Sequence, residues 1–156
     1  MTEIDLQKAI KETLAGEVFK DMMIFENQEM KVFEYDLPLS SDFDDDDNEP
    51  FFPCCIVRVL NGDIKNASSP QLTTVEILII VKDAAADMSG HKNLLITIQR
   101  IRDYFLANGG IRNKFRLVYP IKWGINEDNT IPYFVGKIVT VWQTEIQRFN
   151  DIEKFL

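Results

Sequence analysis

Eleven residues near the middle of the chain, Leu72-Thr-Thr-Val-Glu-Ile-Leu-Ile-Ile-Val-Lys82, constrain the fold more than any others. β-Branched residues dominate the stretch, and successive side chains of a strand point to opposite faces. Val75, Ile77, Ile79 and Val81 therefore line one face, and Leu78 and Ile80 the other. A strand apolar on both faces belongs near the middle of a sheet, with something covering each side. After a short loop comes an amphipathic helix, His91 to Leu106. Leu94, Leu95, Ile98, Ile101 and Phe105 recur at helical spacing, while Lys92, Gln99, Arg100, Arg102 and Asp103 face out. That helix supplies one cover. The chain offers few others, so the second cover falls to another subunit: the residues alone describe a soluble α+β domain that associates with itself or with a partner.

The remaining segments read as pieces packed against that pair. Glu3 and Asp5 suit the opening turn of a first helix, whose stripe is Leu6, Ile10 and Leu14, flanked by Ile4 and Ala9 and stopped at Gly16. Met30 to Tyr35 alternates as a strand. Pro50-Phe-Phe-Pro53 fixes a stiff, extended entry into a strand over Cys54–Leu60, and Asn61-Gly62-Asp63 reads as its turn. Phe115 to Tyr119 is a short strand that continues irregularly past Pro120 to Trp123. The last strand, Pro132 to Thr144, puts Val135, Val139 and Val141 on one face and Phe134, Ile138 and Trp142 on the other. It forms an antiparallel hairpin with the segment around Trp123, and Gly136 marks a bulge or a close backbone approach. Gln147 to Leu156 reads as a polar tail with a weak helical pattern.

At 156 residues the chain fits a single domain, 1–156. Its net charge of −8 and scattered Lys and Arg argue against specific nucleic-acid binding. No apolar run approaches the about 20 residues of a membrane helix, and Met-Thr-Glu-Ile-Asp lacks a signal core, so no membrane partner is expected and synthesis in the cytoplasm is. Cys54 and Cys55 are adjacent, hence on opposite faces of a strand, and read as free core thiols. The single histidine, His91, reads as an exposed residue of a first helical turn. No phosphate loop, nucleophile elbow or metal-ligand spacing is present, so no cofactor, metal or catalytic residue is expected. The acidic run Asp42, Asp44, Asp45, Asp46 and Asp47 sits in a stretch, about 40–49, that reads as an exposed mobile loop able to order on a partner. Its carboxylates are consecutive and lack the glycine of an EF-hand loop.

From Phe52 to Trp142 the pattern resembles the tail-terminator (tail-completion) proteins of long-tailed bacteriophages and prophages. The residues that carry it are Phe52-Pro-Cys-Cys-Ile-Val-Arg-Val-Leu-Asn-Gly62, Val75 to Val81, Gly90 leading into the helix with Ile98, Ile101 and Arg102, Phe115-Arg-Leu, Pro120-Ile-Lys-Trp123 and Pro132-Tyr-Phe-Val-Gly136. The resemblance implies an α+β fold: a mixed, mostly antiparallel sheet of four to five strands with two main helices packed on one face. It also implies a non-enzymatic structural protein of the virion, at the head-proximal end of the tail. Its partners would be copies of itself in a ring, usually a hexamer, the tail-tube protein whose polymerisation it stops, and the head–tail connector protein. DNA would pass through such a ring without specific binding, and an acidic chain suits that bore. Contacts to partners are expected at Asp42, Asp44, Asp45, Asp46 and Asp47 and on the last strand at Phe134 and Trp142. Two other readings stand beside this one: a head–tail connector or stopper protein, and an acidic inhibitor that mimics nucleic acid.

Overall fold

The computed structural model describes residues 2–20, 22, 29–36, 52–83, 89–127 and 132–145. In chain order the elements are α1 (Thr2–Thr13), β1 (Lys31–Glu34), β2 (Cys54–Asp63), β3 (Gln71–Lys82), α2 (Ser89–Asn108), β4 (Gly110–Ile111), β5 (Phe115–Ile125) and β6 (Tyr133–Thr144). The strands form one sheet in the order β1-β2-β3-β6-β5-β4. β1 runs parallel to β2, and all other neighbours are antiparallel. The sheet thus has six strands, not four to five. The strand over Met30–Tyr35 is found as β1 (Lys31–Glu34); the unforeseen element is β4, a two-residue edge that pairs with Phe115–Arg116 just beyond its own turn.

β3 occupies the interior of the sheet, paired along its length with β2 and β6. Its odd-numbered residues are buried and its even-numbered ones half-buried throughout. Both helices lie over the odd side. α2 buries Leu94, Thr97, Ile98, Ile101 and Phe105, a stripe spaced by three or four residues. Thr97, whose hydroxyl donates to the Asn93 carbonyl at 2.8 Å, takes the buried position that hydrophobicity alone gives to Leu95. Each of the four large apolar side chains in that stripe contributes about 1.5–3 kcal/mol by leaving water. Gly109, at φ +66°, ends the helix, its N–H donating to the Phe105 carbonyl at 2.8 Å. Gly90 lets the first turn of α2 lie on Phe134: a Cβ there would stand 2.5 Å from the ring.

α1 buries Leu6, Ala9 and Ile10 in the same core, while Ile4 is exposed. The helix does not stop at Gly16. It loosens into a π-helical turn, Leu14–Val18, that adds Leu14 and Val18 to the core. Arg100 of α2 closes this turn, its Nε donating to the Val18 carbonyl at 2.6 Å. Gln7 docks α1 on the sheet through a 2.8 Å bond from Nε2 to the Val57 carbonyl.

Asn61-Gly62-Asp63 is not a turn. A bulge between Val59 and Asn61 absorbs the extra residue, and β2 runs on to Asp63. The chain reverses instead around Asn66, whose side-chain oxygen accepts from the Ser68 N–H at 3.0 Å and from its hydroxyl at 2.9 Å. β5 carries the second irregularity. Its register jumps between Val118 and Lys122, at the cis Tyr119–Pro120 peptide, and then pairs regularly with β6 through Ile125. Gly136 is a close approach rather than a bulge: a Cβ there would meet Ile98 Cδ1 at 3.0 Å.

Candidate functional site

Among the described residues, both helices pack on one side of the sheet, and the opposite face is the surface left for chemistry or contact. Strand registers fix what lies there. One row across β5, β6, β3 and β2 reads Lys122, Val139, Glu76, Arg58; the next reads Gly124, Lys137, Leu78, Ile56. On one flank Val118, Val141 and Thr74 stand side by side, and on the other Val135, Ile80 and Cys54. The face therefore carries Leu78, Ile80, Val118, Val135, Val139 and Val141, all half-buried, with Glu76 and the exposed Lys137 among them, Arg58 and Lys122 at the edges, and Cys54 and Ile56 buried on the β2 side. At one end Phe52 meets the Tyr133 ring edge-on, with centroids 5.4 Å apart. Lys82 Nζ lies 5.9 Å from the centroid of the same ring, a cation–π contact.

Cys54 and Cys55 point to opposite faces, as adjacent strand residues must, and both are free and buried. Burial pushes the Cys54 thiol up to about 12, against the opposing pull of Lys31, and raises Cys55 well above its ordinary range. Both stay protonated at neutral pH, so neither is poised as a nucleophile or metal ligand. No group of three or more His, Cys, Asp or Glu among the described residues is arranged to hold a metal ion. No helix among them is long and apolar enough to cross a membrane.

A polar groove of about 590 Å³ opens where α1, the end of α2 and β4–β5 meet. Two of its carboxylates are held by neighbours in the groove. Arg112, held at φ +56°, pairs with Glu12 and keeps that carboxyl below its usual range. Glu17 accepts a hydrogen bond from the Tyr104 hydroxyl, which raises the phenol.

The expected contact residues divide. Asp42, Asp44, Asp45, Asp46 and Asp47 lie outside the described residues. Phe134 and Trp142 are interior, not surface: both sit on the helix side of β6, 2% and 0% exposed, with Trp142 edge-on to Phe105 at 5.2 Å. On the reverse side of β6 a partner can reach Lys137, which is exposed, and the half-buried Val135, Val139 and Val141. Two surface features escaped the sequence reading. Tyr119 and Trp123 are 65% and 47% exposed on β5, beside its register break. Large aromatics at an irregular edge are the signal that points to them.

No protein-family model matches this sequence, and no curated protein matches it. Among solved structures, a chain from the virion of a native gene transfer agent particle matches with 14% identity and a TM-score of 0.45, covering 90% of this chain and 95% of that one. A likeness at that level bears on neither family nor function.

Proposed function

We propose that this chain is a non-enzymatic structural protein of a phage-type virion, and that its copies form a ring, a hexamer by the resemblance, that caps the tail tube, stops its polymerisation and presents a head-joining face. The observation that carries the reading is the one-sided sheet. Leu78, Ile80, Val135, Val139 and Val141, with the exposed Lys137 among them, form a mainly apolar face that, among the described residues, no helix covers. Contiguous apolar surface of that kind marks a contact site. The resemblance of Phe52 to Trp142 to tail terminators supplies the kind of assembly, and the net charge of −8 suits a bore that DNA traverses. The acidic run from Asp42 to Asp47 is the proposed contact to tube or connector protein.

Sedimentation and negative-stain imaging of the full chain, alone and with tail-tube protein, test this. Closed rings that bind tube ends are the expected result. A strict monomer in both conditions refutes the reading, and rings that bind connector protein but not tube would make it a stopper.

A further inference from the structure

The sheet ends in two short strands that leave part of each edge open. β1 pairs with Cys54–Val57 of β2, and β4 with Phe115–Arg116 of β5. Beyond them, Asn61–Asp63 on one edge and Lys122–Ile125 on the other are paired only on their inner side, among the described residues. An open edge is a template for another strand.

The backbone groups that face outward follow from alternation along the ladder. The Val57 carbonyl accepts from the Tyr35 N–H on the β1 side, so Arg58, opposite Glu76, turns its groups toward β3. Two residues along β3, Thr74 also faces β2, and its partner is Asn61. Gly62 therefore faces outward. On β5 the Asn126 N–H donates to the Val135 carbonyl at 2.9 Å, so Gly124 faces β6 and Trp123 faces outward.

The side chains agree. Gly62 and Trp123 lie on the helix side, opposite Thr73 and Ile138 in their own ladders. Asn61, Asp63, Lys122 and Gly124 lie on the other side. Direction agrees as well. With helices kept on one side of a continued sheet, β5 of one copy runs antiparallel to β2 of the next.

We propose that Asn61–Asp63 of one copy pairs with Lys122–Gly124 of a second copy, Gly62 opposite Trp123, so that the sheet continues from copy to copy. This deepens the self-association reading above and rests on it. The register sets Asp63 across from Lys122, and neither has an ion-pair partner among the described residues. It sets the Trp123 ring beside Gly62, next to the Gln71 side chain that stands 3.3 Å from where a Gly62 Cβ would sit. Charge along the β5 stretch suits an acidic partner: 110–125 holds four cations and no carboxylate. Four of the eight exposed large hydrophobics among the described residues, Leu60, Ile64, Tyr119 and Trp123, lie in or beside 61–63 and 110–125, so pairing hides apolar surface at the edges. Gly62 is level with Trp142 and Trp123 with Ile138, so successive copies are staggered by about four residues, or about 13 Å. That stagger carries β1 of the second copy past the end of β5.

Cross-linking in the full chain tests the register. Asp63→Cys and Lys122→Cys replace exposed residues, and the native thiols are buried, so a short bismaleimide reads only the new sites. Neither single variant should form a covalent dimer, their equimolar mixture should give dimers and nothing larger, and the double variant should give a ladder. Trp123→Ala should weaken association at least about tenfold, with the denaturation midpoint unchanged at protein concentrations where the wild type is monomeric. If the wild type sediments as a monomer with and without tube protein, the self-association reading and this proposal fall together. If it assembles while the mixture stays uncross-linked, or a single variant links to itself, the edge pairing alone is overturned.

Discussion

Val141 and Trp142 are neighbours on one strand and face opposite ways, so a pair of substitutions there measures how one-sided the core is. Trp142 is fully buried, edge-on to Phe105 at 5.2 Å, with its Nε1–H donating to Thr140 Oγ1 at 2.8 Å. Trp142→Ala removes the largest fully buried side chain and costs about 3–5 kcal/mol. Loss of the edge-to-face pair puts the effect toward the upper end. Thr140 is not orphaned, because its hydroxyl still donates to the Val75 carbonyl at 3.0 Å. Val141 lies half-buried between Val118 and Thr74 on the other face. In an isolated protomer Val141→Asp loses strand propensity and little packing, about 1 kcal/mol. Urea denaturation at low protein concentration should therefore separate the two variants by about 2–4 kcal/mol. At high concentration the wild type should gain stability by mass action, and Val141→Asp should gain less where the reverse face adds to the contact between copies. Equal losses at low concentration would mean that the chain itself seals that face, and the one-sided core would be wrong.

Gly90→Ala drives a methyl to 2.5 Å from the buried Phe134 ring and should cost about 1–3 kcal/mol, whereas Gly16→Ala, with nothing within 4 Å of the new Cβ, should gain about 0.5 kcal/mol; thermal denaturation checks both. The raised thiols of Cys54 and Cys55 keep their protons in the folded state while the unfolded chain releases them above about pH 8.5, so stability should be full below that pH and fall as pH climbs toward 12, by up to about 1.4 kcal/mol per pH unit per thiol. Alanine at both positions should flatten that alkaline slope, and a thiol reagent should label the native protein only on unfolding. Arg100→Ala strips the donors that close the π-helical turn at the Val18 and Lys20 carbonyls and should cost about 1–2 kcal/mol, with amide exchange rising first in residues 14–20.

Long-range order was legible where a periodicity ran long enough to be unambiguous. β3 is readable because its alternation extends over twelve residues, α2 because its stripe spans about three turns, and the β5–β6 hairpin because polar residues separate two apolar runs. Of the two short edges, β1 was legible from the alternation of Met30 to Tyr35, and β4 was not. β4 is two residues long and exists because Arg112 and Asn113 adopt positive φ and Gly110 lets the Phe115 carbonyl approach to where a Cβ would sit. Nothing in Gly-Gly-Ile-Arg-Asn announces that. Asn61-Gly62 has the composition of a turn, but the Asn66 side chain offers Ser68 two hydrogen bonds further along and captures the reversal. The contact residues were misread on β6 for a related reason. Alternation says that Phe134 and Trp142 share a face, but not which face the helices occupy; the largest side chains went to the core, which is where aromatic area stabilises most.

An apolar face and two open strand edges on one protomer invite disorderly association, and charge selects among the possible pairings. A net charge of −8 opposes random encounters between copies at low ionic strength. β5 pairing with β5 would bring together two stretches that each carry Arg112, Lys114, Arg116 and Lys122 without a carboxylate. β2 pairing with β2 through Asn61–Asp63 would bring two copies of Asp63 close together with no cation between them. Only the mixed pairing joins opposite signs, and a mixed pairing is heterologous, the kind that generates rings when its rotation closes. Salt should act first on this selection. Exposed charges are screened within a Debye length of about 8 Å at physiological ionic strength, while apolar burial strengthens or holds as salt rises. Raising salt from about 0.05 to 1 M should therefore broaden wild-type assemblies into mixed sizes without returning them to monomer. Clean dissociation to monomer in 1 M salt would show that ion pairs, not the apolar surface, hold the copies together.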